Sequence, residues 1–173
     1  MTDYFHAKPK DIRTRIAAQE ITGPTAGMCA GYAQANLVIL PKKYAYDFLL
    51  FTQRNPRSCP LLEVGDAGDP YLKTMAPGCD ITKEIPKYRI YKKGELQGEY
   101  PEISDYWSKD LVSFLIGCSF SFEAEMLETG IPVRHIEENC NVPMYKTNIP
   151  CQPAGMFRGN MVVSMRPIPY QQV

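Results

Sequence analysis

Hydrophobic positions in the first third of the chain follow helical spacing in two segments and form a short continuous run between them. Pro9 suits the first turn of a helix, and the apolar positions of residues 12–17 then fall on one helical face. Residues 35–41 form an apolar run that ends in proline, which predicts a buried strand. Residues 42–54 carry apolar side chains on most sides and precede Pro56, which predicts a largely buried helix.

The middle of the chain has the pattern of short strands separated by turns. Residues 61–64 are strand-like, and residues 88–92 and 95–100 flank a Lys-Gly pair that is typical of a hairpin turn. The segment from residue 60 to residue 103 is therefore expected to be β-rich.

Helical signals return after residue 104. Asp105 suits the N-cap position, and an apolar stripe follows at Trp107, Leu111, Phe114 and Leu115. A second helix is predicted to begin near Ser119 or Ser121 and to end at Gly130, a residue type common after helix ends.

The last third combines strand-like runs with loops rich in proline and glycine. Residues 131–136 are predicted to form a strand despite Pro132, residues 139–159 to be mostly loop, and residues 161–165 to form a final strand.

Alternating helices and strands predict an α/β fold in which a mixed sheet is flanked by helices. The main domain is expected to consist of residues 1–59 and 104–173. Residues 60–103 are expected to form a small β-rich inserted subdomain.

Charge and composition argue against nucleic acid, membranes and metal ions as partners of this chain. The chain has 19 Lys plus Arg and 19 Asp plus Glu, so no excess of positive charge attracts nucleic acid or anionic lipid. No secretory signal and no apolar run of about 20 residues is visible, so a cytoplasmic protein without a membrane span is expected. Six widely spaced cysteines and two histidines form no pattern for a metal, and neither a metal nor another cofactor is expected.

Several segments together resemble the hydro-lyase family that includes D-glutamate cyclase. They cover nearly the whole chain: TGPTAG at 22–27, QANLVILP at 34–41, DFLLF at 47–51, QRNP at 53–56, CPLLEV at 59–64, FLIGCSFSFE at 114–123, GIPVRHIEE at 130–138, NVPMYKTNIPC at 141–151 and VVSMRP at 162–167.

The resemblance implies an α/β fold with a smaller inserted subdomain and a carbon–oxygen lyase that acts on a small amino or carboxylic acid. It implies in particular the cyclisation of D-glutamate to 5-oxo-D-proline with loss of water. Members of the family usually continue beyond the segment that resembles residues 161–169, and this chain is expected to lack that C-terminal region. An apolar face uncovered in this way would favour self-association into a homo-oligomer.

The segment 117–123 is the first candidate for chemistry. A glycine break followed by Ser119 and Ser121 at a helix start would present unpaired N–H groups to a substrate carboxylate. Cys118 is a candidate nucleophile, because the start of a helix lowers the pKa of a thiol. The alternative is that the serines only cap the helix, that Glu123 complements the helix dipole, and that the cysteine is inert.

The segment 134–138 is the second candidate. On a strand His135 and Glu137 would share a face, and the carboxylate would make the imidazole a better general base or acid. Arg134 would bind substrate, or the charged residues would form only a structural ion pair.

Four further residues are candidates for substrate binding. Solvated loop residues are the simpler interpretation for Thr147, Asn148 and Arg158, and the stem of Arg166 could instead only cover apolar surface. Thr147 and Asn148 could donate to an oxyanion, and Arg158 and Arg166 could pair with a substrate carboxylate. Two other functions stay open: a non-catalytic protein that binds small carboxylic or amino acids, and an amide hydrolase that uses Cys118 or Ser119 with His135.

Overall fold

A computed structural model describes residues 4–173 of the chain. Its main helices and strands, in chain order, are α1 (Pro9–Ala17), β1 (Ala35–Pro41), α2 (Lys42–Arg54), β2 (Leu61–Val64), β3 (Tyr88–Lys92), β4 (Glu95–Tyr100), β5 (Leu111–Gly117), α3 (Glu123–Glu128), α4 (Arg134–Glu137), β6 (Met144–Pro150) and β7 (Asn160–Ser164). Short 3-10 turns lie at Ser104–Tyr106, Ser119–Phe122 and Tyr170–Gln172.

A three-stranded antiparallel sheet in the order β1-β5-β2 forms the centre of the fold. The predicted helix with the apolar stripe from Trp107 to Leu115 is wrong, since this region contributes β5. Residues 112–116 are all buried because both faces of β5 are covered. A strand covered on both faces is apolar throughout and can mimic a helical stripe. Asp105 lies within a 3-10 turn rather than at a helix N-cap.

Helix α2 covers one face of the central sheet. Phe48 of α2 packs edge to face against Phe114 of β5, with ring centroids 4.9 Å apart. Val112 and Ile116 complete this apolar cluster. The strand predicted over residues 35–41 and the helix predicted over residues 42–54 are both present, but the burial expected of them is wrong. Residues 35–41 are half-buried or exposed, and α2 buries only Phe48 and Thr52.

The opposite face of the sheet packs against the β-rich segment. Leu115 contacts a cluster that includes Leu72, Cys79 and Ile81. Strands β3 and β4 form the predicted hairpin, in which Lys93 and Gly94 adopt positive φ angles of 53° and 84°. Strand β2 also lies within the predicted insertion but pairs with β5, so the segment joins the central sheet through its first strand.

Two local predictions in the last third of the chain are wrong. Residues 131–136 were expected as a strand but contribute the single helical turn α4, whose first turn is closed by the Val133 carbonyl accepting the N–H groups of Ile136 and Glu137. Val133 and His135 are both buried, and burial of every second residue over one short turn imitates the period of a strand. Residues 144–150 form β6 rather than loop.

Two other predictions for this region agree with the structure in part or in full. The helix expected from Ser119 is divided into a 3-10 turn and the six-residue α3, and Gly130 follows it with a φ of 76°. The strand expected at residues 161–165 is present as β7 and pairs antiparallel with β6.

The α/β class is confirmed, since helices pack against sheets along the described part of the chain. A mixed sheet was expected, whereas the strand pairs among residues 4–173 are antiparallel. None of the helices in residues 4–173 has both the length and the apolar character needed to cross a bilayer.

Candidate functional site

A buried carboxylate lies at the centre of the candidate site. Glu123 begins α3 directly after the 3-10 turn Ser119–Phe122, and only 1% of its surface is exposed. Its Oε1 atom accepts a hydrogen bond of 2.9 Å from Nε of Arg166 and a second one from Nη2 of the same guanidinium. A buried carboxylate needs such a cationic partner, because desolvation alone would strongly disfavour its ionised form.

An imidazole lies against the same carboxylate. Nε2 of His135, which is 3% exposed, is 3.1 Å from Oε1 of Glu123. The two atoms are in contact without the alignment of a hydrogen bond. Neither Nε2 of His135 nor Oε2 of Glu123 has a hydrogen-bond partner among residues 4–173. Each atom is therefore available for a hydrogen bond to a bound molecule.

The ring of Phe120 flanks this imidazole. Its centroid lies 5.9 Å from that of the His135 ring, and the two planes are inclined by 21°. An apolar ring in this position limits access of bulk water to the imidazole, which strengthens electrostatic interactions nearby.

Hydroxyl groups from two distant segments hold the guanidinium. Nη1 of Arg166 donates to Oγ of Ser164 at 2.6 Å, and Nη2 donates to Oγ of Ser119 at 3.0 Å. The two hydroxyl oxygens are themselves 3.0 Å apart. Because a planar guanidinium bound at several points has little freedom, this network fixes Glu123 as well.

The β6–β7 hairpin carries Ser164 and Arg166 to the site, and its connecting loop is anchored to the end of α2. The side chain of Asn55 accepts from the N–H of Gln152 at 2.7 Å and donates to the carbonyl of Gln152 at 2.8 Å. Phe157 of the same loop packs against Phe48, with centroids 5.1 Å apart. The central sheet therefore sets the position of Arg166 through α2.

Cys118 lies beside this cluster but is poorly suited to attack a substrate. Burial raises the pKa of the Cys118 thiol above its usual value, the negative charge of Glu123 adds to the increase, and the backbone N–H of Phe120 and the charge of Arg166 only partly offset it. The direction is opposite to the decrease expected at the start of a long helix. A protonated thiol is a weak nucleophile.

Glu123 also lines a small cavity. Its volume is about 10 Å³, and its wall includes Glu123, Ala124, Ser121 and residues of the loop 27–32. Oγ of Ser121 accepts from the backbone N–H of Gln34, the residue before β1, at 2.8 Å. A volume of this size accommodates roughly one water molecule.

The structure brings three of the predicted site residues together, namely Ser119, His135 and Arg166, with Cys118 close by. Neither predicted hydroxyl caps the helix through its side chain. Their roles in substrate binding or catalysis stay predictions.

Other predicted site residues lie in different surroundings. The expectation that His135 and Glu137 share a face is wrong, since α4 directs His135 inward while Glu137 remains 49% exposed. Arg134 is 66% exposed and pairs with Glu138 at 2.8 Å, which fits the structural ion pair left open above. Thr147 donates to the carbonyl of Met161 within the β6–β7 hairpin, and Asn148 and Arg158 are exposed.

Sequence reasoning missed Glu123 and Ser164 as members of the site. Glu123 had been assigned to the helix dipole, because a glutamate in a first turn is normally solvated. Its cationic partner lies 43 residues further along the chain, and no local pattern links the two. Among residues 4–173, no group of three or more His, Cys, Asp or Glu side chains could hold a metal ion.

A family model and individual relatives of known sequence point to the same group of proteins. The sequence model of the family described as D-glutamate cyclase matches residues 112–173. This range includes Glu123 and the side chains around it, namely Ser119, His135, Ser164 and Arg166. A "Putative hydro-lyase" of Clostridium beijerinckii is 66% identical over 171 residues, or 99% of this chain and 65% of the relative. A "Putative hydro-lyase" of Psychrobacter arcticus is 59% identical over 98% of this chain and 65% of its own length.

The chain thus spans just under two thirds of the length of these relatives. A third protein named "Putative hydro-lyase", from Bacillus pumilus, is 58% identical over all 173 residues and is covered over 66% of its length. Identities of this size over nearly the whole chain agree with the resemblance carried by the sequence motifs. The chain is therefore similar over nearly its whole length to proteins named "Putative hydro-lyase", and its residues 112–173 match the family described as D-glutamate cyclase.

Proposed function

We propose that this protein is a carbon–oxygen lyase that acts on a small amino or carboxylic acid, and that it cyclises D-glutamate to 5-oxo-D-proline with loss of water. The observation that carries the proposal is the buried carboxylate of Glu123, whose Oε2 has no hydrogen-bond partner among residues 4–173 and whose Oε1 contacts His135. This pair lies within the segment that matches the family.

The reaction defines what the site must do. The amine of D-glutamate attacks the carbon of the side-chain carboxyl group, so that a C–N bond forms and a C–O bond breaks. Two protons leave the ammonium nitrogen, and both are found on the oxygen that departs as water. The site must therefore accept protons from the nitrogen and deliver protons to the oxygen only a short distance away.

Glu123 and His135 are suited to this transfer because they are adjacent and each has a buried polar atom without a hydrogen-bond partner among residues 4–173. We assign Oε2 of Glu123 as the acceptor of both protons, one after the other. His135 delivers both protons to the departing oxygen and recovers each of them from Glu123. Arg166 contacts only Oε1 of Glu123, so Oε2 is left for the substrate. A fixed guanidinium and two hydroxyl groups would keep this geometry unchanged through the reaction.

The alternative of an amide hydrolase that uses Cys118 has less support, because burial raises the pKa of that thiol. The proposal also places the reaction in the cytoplasm. Six free cysteines, of which Cys140 is exposed, are stable in a reducing compartment.

Proton NMR of D-glutamate and of 5-oxo-D-proline incubated with this protein tests the proposal. The Clostridium beijerinckii relative serves as a reference assayed in parallel, and L-glutamate tests stereochemistry. We expect both proteins to bring the D-compounds to the same equilibrium mixture. Absence of interconversion with both proteins would contradict cyclisation as the family reaction, and conversion by the relative alone would contradict it for this chain.

A further inference from the structure

The α-carboxylate of D-glutamate needs a cationic partner at the site. The side-chain carboxyl group loses an oxygen in the proposed reaction, whereas the α-carboxylate keeps its negative charge and is retained in 5-oxo-D-proline. A carboxylate that leaves water is bound best by a cation that also donates hydrogen bonds. Glu123 and His135 act on the amine and on the departing oxygen, so neither supplies this cation.

The guanidinium of Arg166 is already committed to other groups. Four of its five N–H groups donate to Glu123, Ser119 and Ser164. Its positive charge is balanced by the carboxylate of Glu123, and both side chains are buried. Moving Arg166 towards a substrate would leave the buried charge of Glu123 uncompensated. The α-carboxylate therefore requires a second cation.

Lys146 lies on the face of the β6–β7 hairpin that carries Ser164. Met144 is paired with Ser164, and Lys146 is paired with Val162. Cross-strand partners share a face and alternate residues return to it, so these four side chains lie on one face. Oγ of Ser164 contacts the guanidinium of Arg166 from this face. Lys146 is therefore a diagonal cross-strand neighbour of a residue that holds the buried cluster.

The charge of Lys146 is available to a ligand. The side chain is exposed and forms no ion pair with a carboxylate of residues 4–173, whereas Arg134 is already paired with Glu138 at 2.8 Å. Met144 on the same face is 62% exposed, so solutes can reach this face. Diagonal neighbours lie about 7–8 Å apart, and the flexible four-carbon stem of a lysine can extend over that distance.

We propose that Lys146 binds the α-carboxylate of the substrate and makes the site specific for amino acids that carry a carboxylate beside the reacting amine. This inference rests on the proposed function. 4-Aminobutyrate closes the same five-membered ring, with the same C–N bond formed and the same C–O bond broken, but it lacks the α-carboxylate. Lys146 therefore favours D-glutamate over 4-aminobutyrate, and 5-oxo-D-proline over 2-pyrrolidinone.

Binding of the two ring compounds tests Lys146 without turnover. Calorimetric titration gives Kd for 5-oxo-D-proline and for 2-pyrrolidinone with wild type, Lys146→Met and Lys146→Arg. Wild type should bind 5-oxo-D-proline about tenfold more tightly or better, Lys146→Met should lose this preference, and Lys146→Arg should keep most of it. Equal affinity of wild type for both compounds, or an unchanged preference in Lys146→Met, would overturn the proposal.

Lys92→Met is the matched control. Lys92 is also exposed on a strand of a hairpin, but that hairpin belongs to the β-rich segment. The control should bind 5-oxo-D-proline as wild type does, and thermal unfolding checks that each variant is folded. An equal loss of affinity in Lys92→Met would show a general effect of charge and would overturn the specific role of Lys146.

Turnover separates this inference from the proposed function. Lys146→Met should raise KM for D-glutamate about tenfold or more with a smaller change in kcat, and it should leave the kinetics with 4-aminobutyrate unchanged. Wild-type kinetics of Lys146→Met with D-glutamate would overturn the role of Lys146 and leave the cyclase proposal intact. Binding of 5-oxo-D-proline that depends on Lys146, without any cyclisation, would overturn the proposed reaction and leave the carboxylate site intact.

Discussion

Replacement of Arg166 by methionine should destabilise the protein far more than the same replacement at Arg134. The side chain of Arg166 is 6% exposed and that of its partner Glu123 is 1% exposed, whereas Arg134 is 66% exposed. Removal of one partner of a buried ion pair leaves an uncompensated charge and costs about 3–5 kcal/mol. Removal of a surface pair costs about 0–1 kcal/mol.

The expected loss can be converted into a melting temperature. For a chain of this size, about 1 kcal/mol corresponds to ~2–4 °C, so Arg166→Met should lower Tm by ~6–20 °C. Urea unfolding followed by the fluorescence of Trp107, the single tryptophan, gives the free energy of unfolding directly. Arg134→Met is the matched control, since it removes the same group from the surface.

A second substitution tests whether the uncompensated charge of Glu123 causes this loss of stability. Glu123→Gln removes the buried negative charge, so the double variant should be more stable than Arg166→Met alone, with a coupling free energy of about 1–3 kcal/mol. The reasoning is refuted if Arg166→Met and Arg134→Met lose similar stability. It is also refuted if the two substitutions in the double variant are simply additive.

Three further predictions concern other parts of the molecule. Partial burial raises the pKa of Glu63, but donation by the backbone N–H groups of Met75, Lys73 and Thr74 outweighs it, so the net pKa lies below its usual value. A carboxyl group with a depressed pKa stabilises the fold above its unfolded pKa and loses this effect in acid. Glu63→Gln should therefore be less stable than wild type at pH 7. The difference in the free energy of unfolding should shrink as the pH falls from the usual pKa of glutamate, about 4.3, through the lower pKa of Glu63, as measured by urea unfolding; a constant difference across this range would contradict the argument. Gly155 has a φ of 52°, and a Cβ atom there would lie 2.0 Å from Oδ2 of Asp47, so Gly155→Ala should cost about 1–3 kcal/mol, part of which Asp47→Ala restores. Full stability of Gly155→Ala would exclude this contact. Iodoacetamide at neutral pH should modify the exposed Cys140 well before Cys118, as peptide mass spectrometry can show, and the reverse order would revive Cys118 as a nucleophile.

Elements bounded by strong local signals could be predicted from the sequence. Strand β1 ends at Pro41, helix α2 begins at the next residue and ends just before Asn55-Pro56, and the β3–β4 hairpin turns at Lys93-Gly94. In each case proline or glycine limits the backbone conformations at the boundary. The local conformational limits of proline and glycine were therefore sufficient to predict where these elements begin and end.

Strand β5 could not be predicted in this way because its character depends on tertiary packing. Phe114 faces α2, and Leu115 faces the β-rich segment. When both faces are covered, the alternation that identifies a strand disappears. Only the partners on both sides distinguish such a strand from a buried helix.

The candidate site was predicted in part. His135, Ser119 and Arg166 were selected for their chemistry, and the structure places all three around Glu123. The partner of His135 was expected on the same element, at Glu137, but comes from α3 instead. A contact between distant segments is set by the fold, and residue types alone do not identify it.

The most direct test of the account is the rate at which Glu123→Gln converts D-glutamate, compared with Glu125→Gln. Glu125 lies on the same short helix but is exposed, so the pair separates the buried carboxylate from a general loss of charge. If Glu123 transfers a proton, kcat of Glu123→Gln should fall by roughly 10²–10⁴-fold while Glu125→Gln keeps the wild-type rate. A folded Glu123→Gln protein with the wild-type kcat would contradict the assignment of this carboxylate.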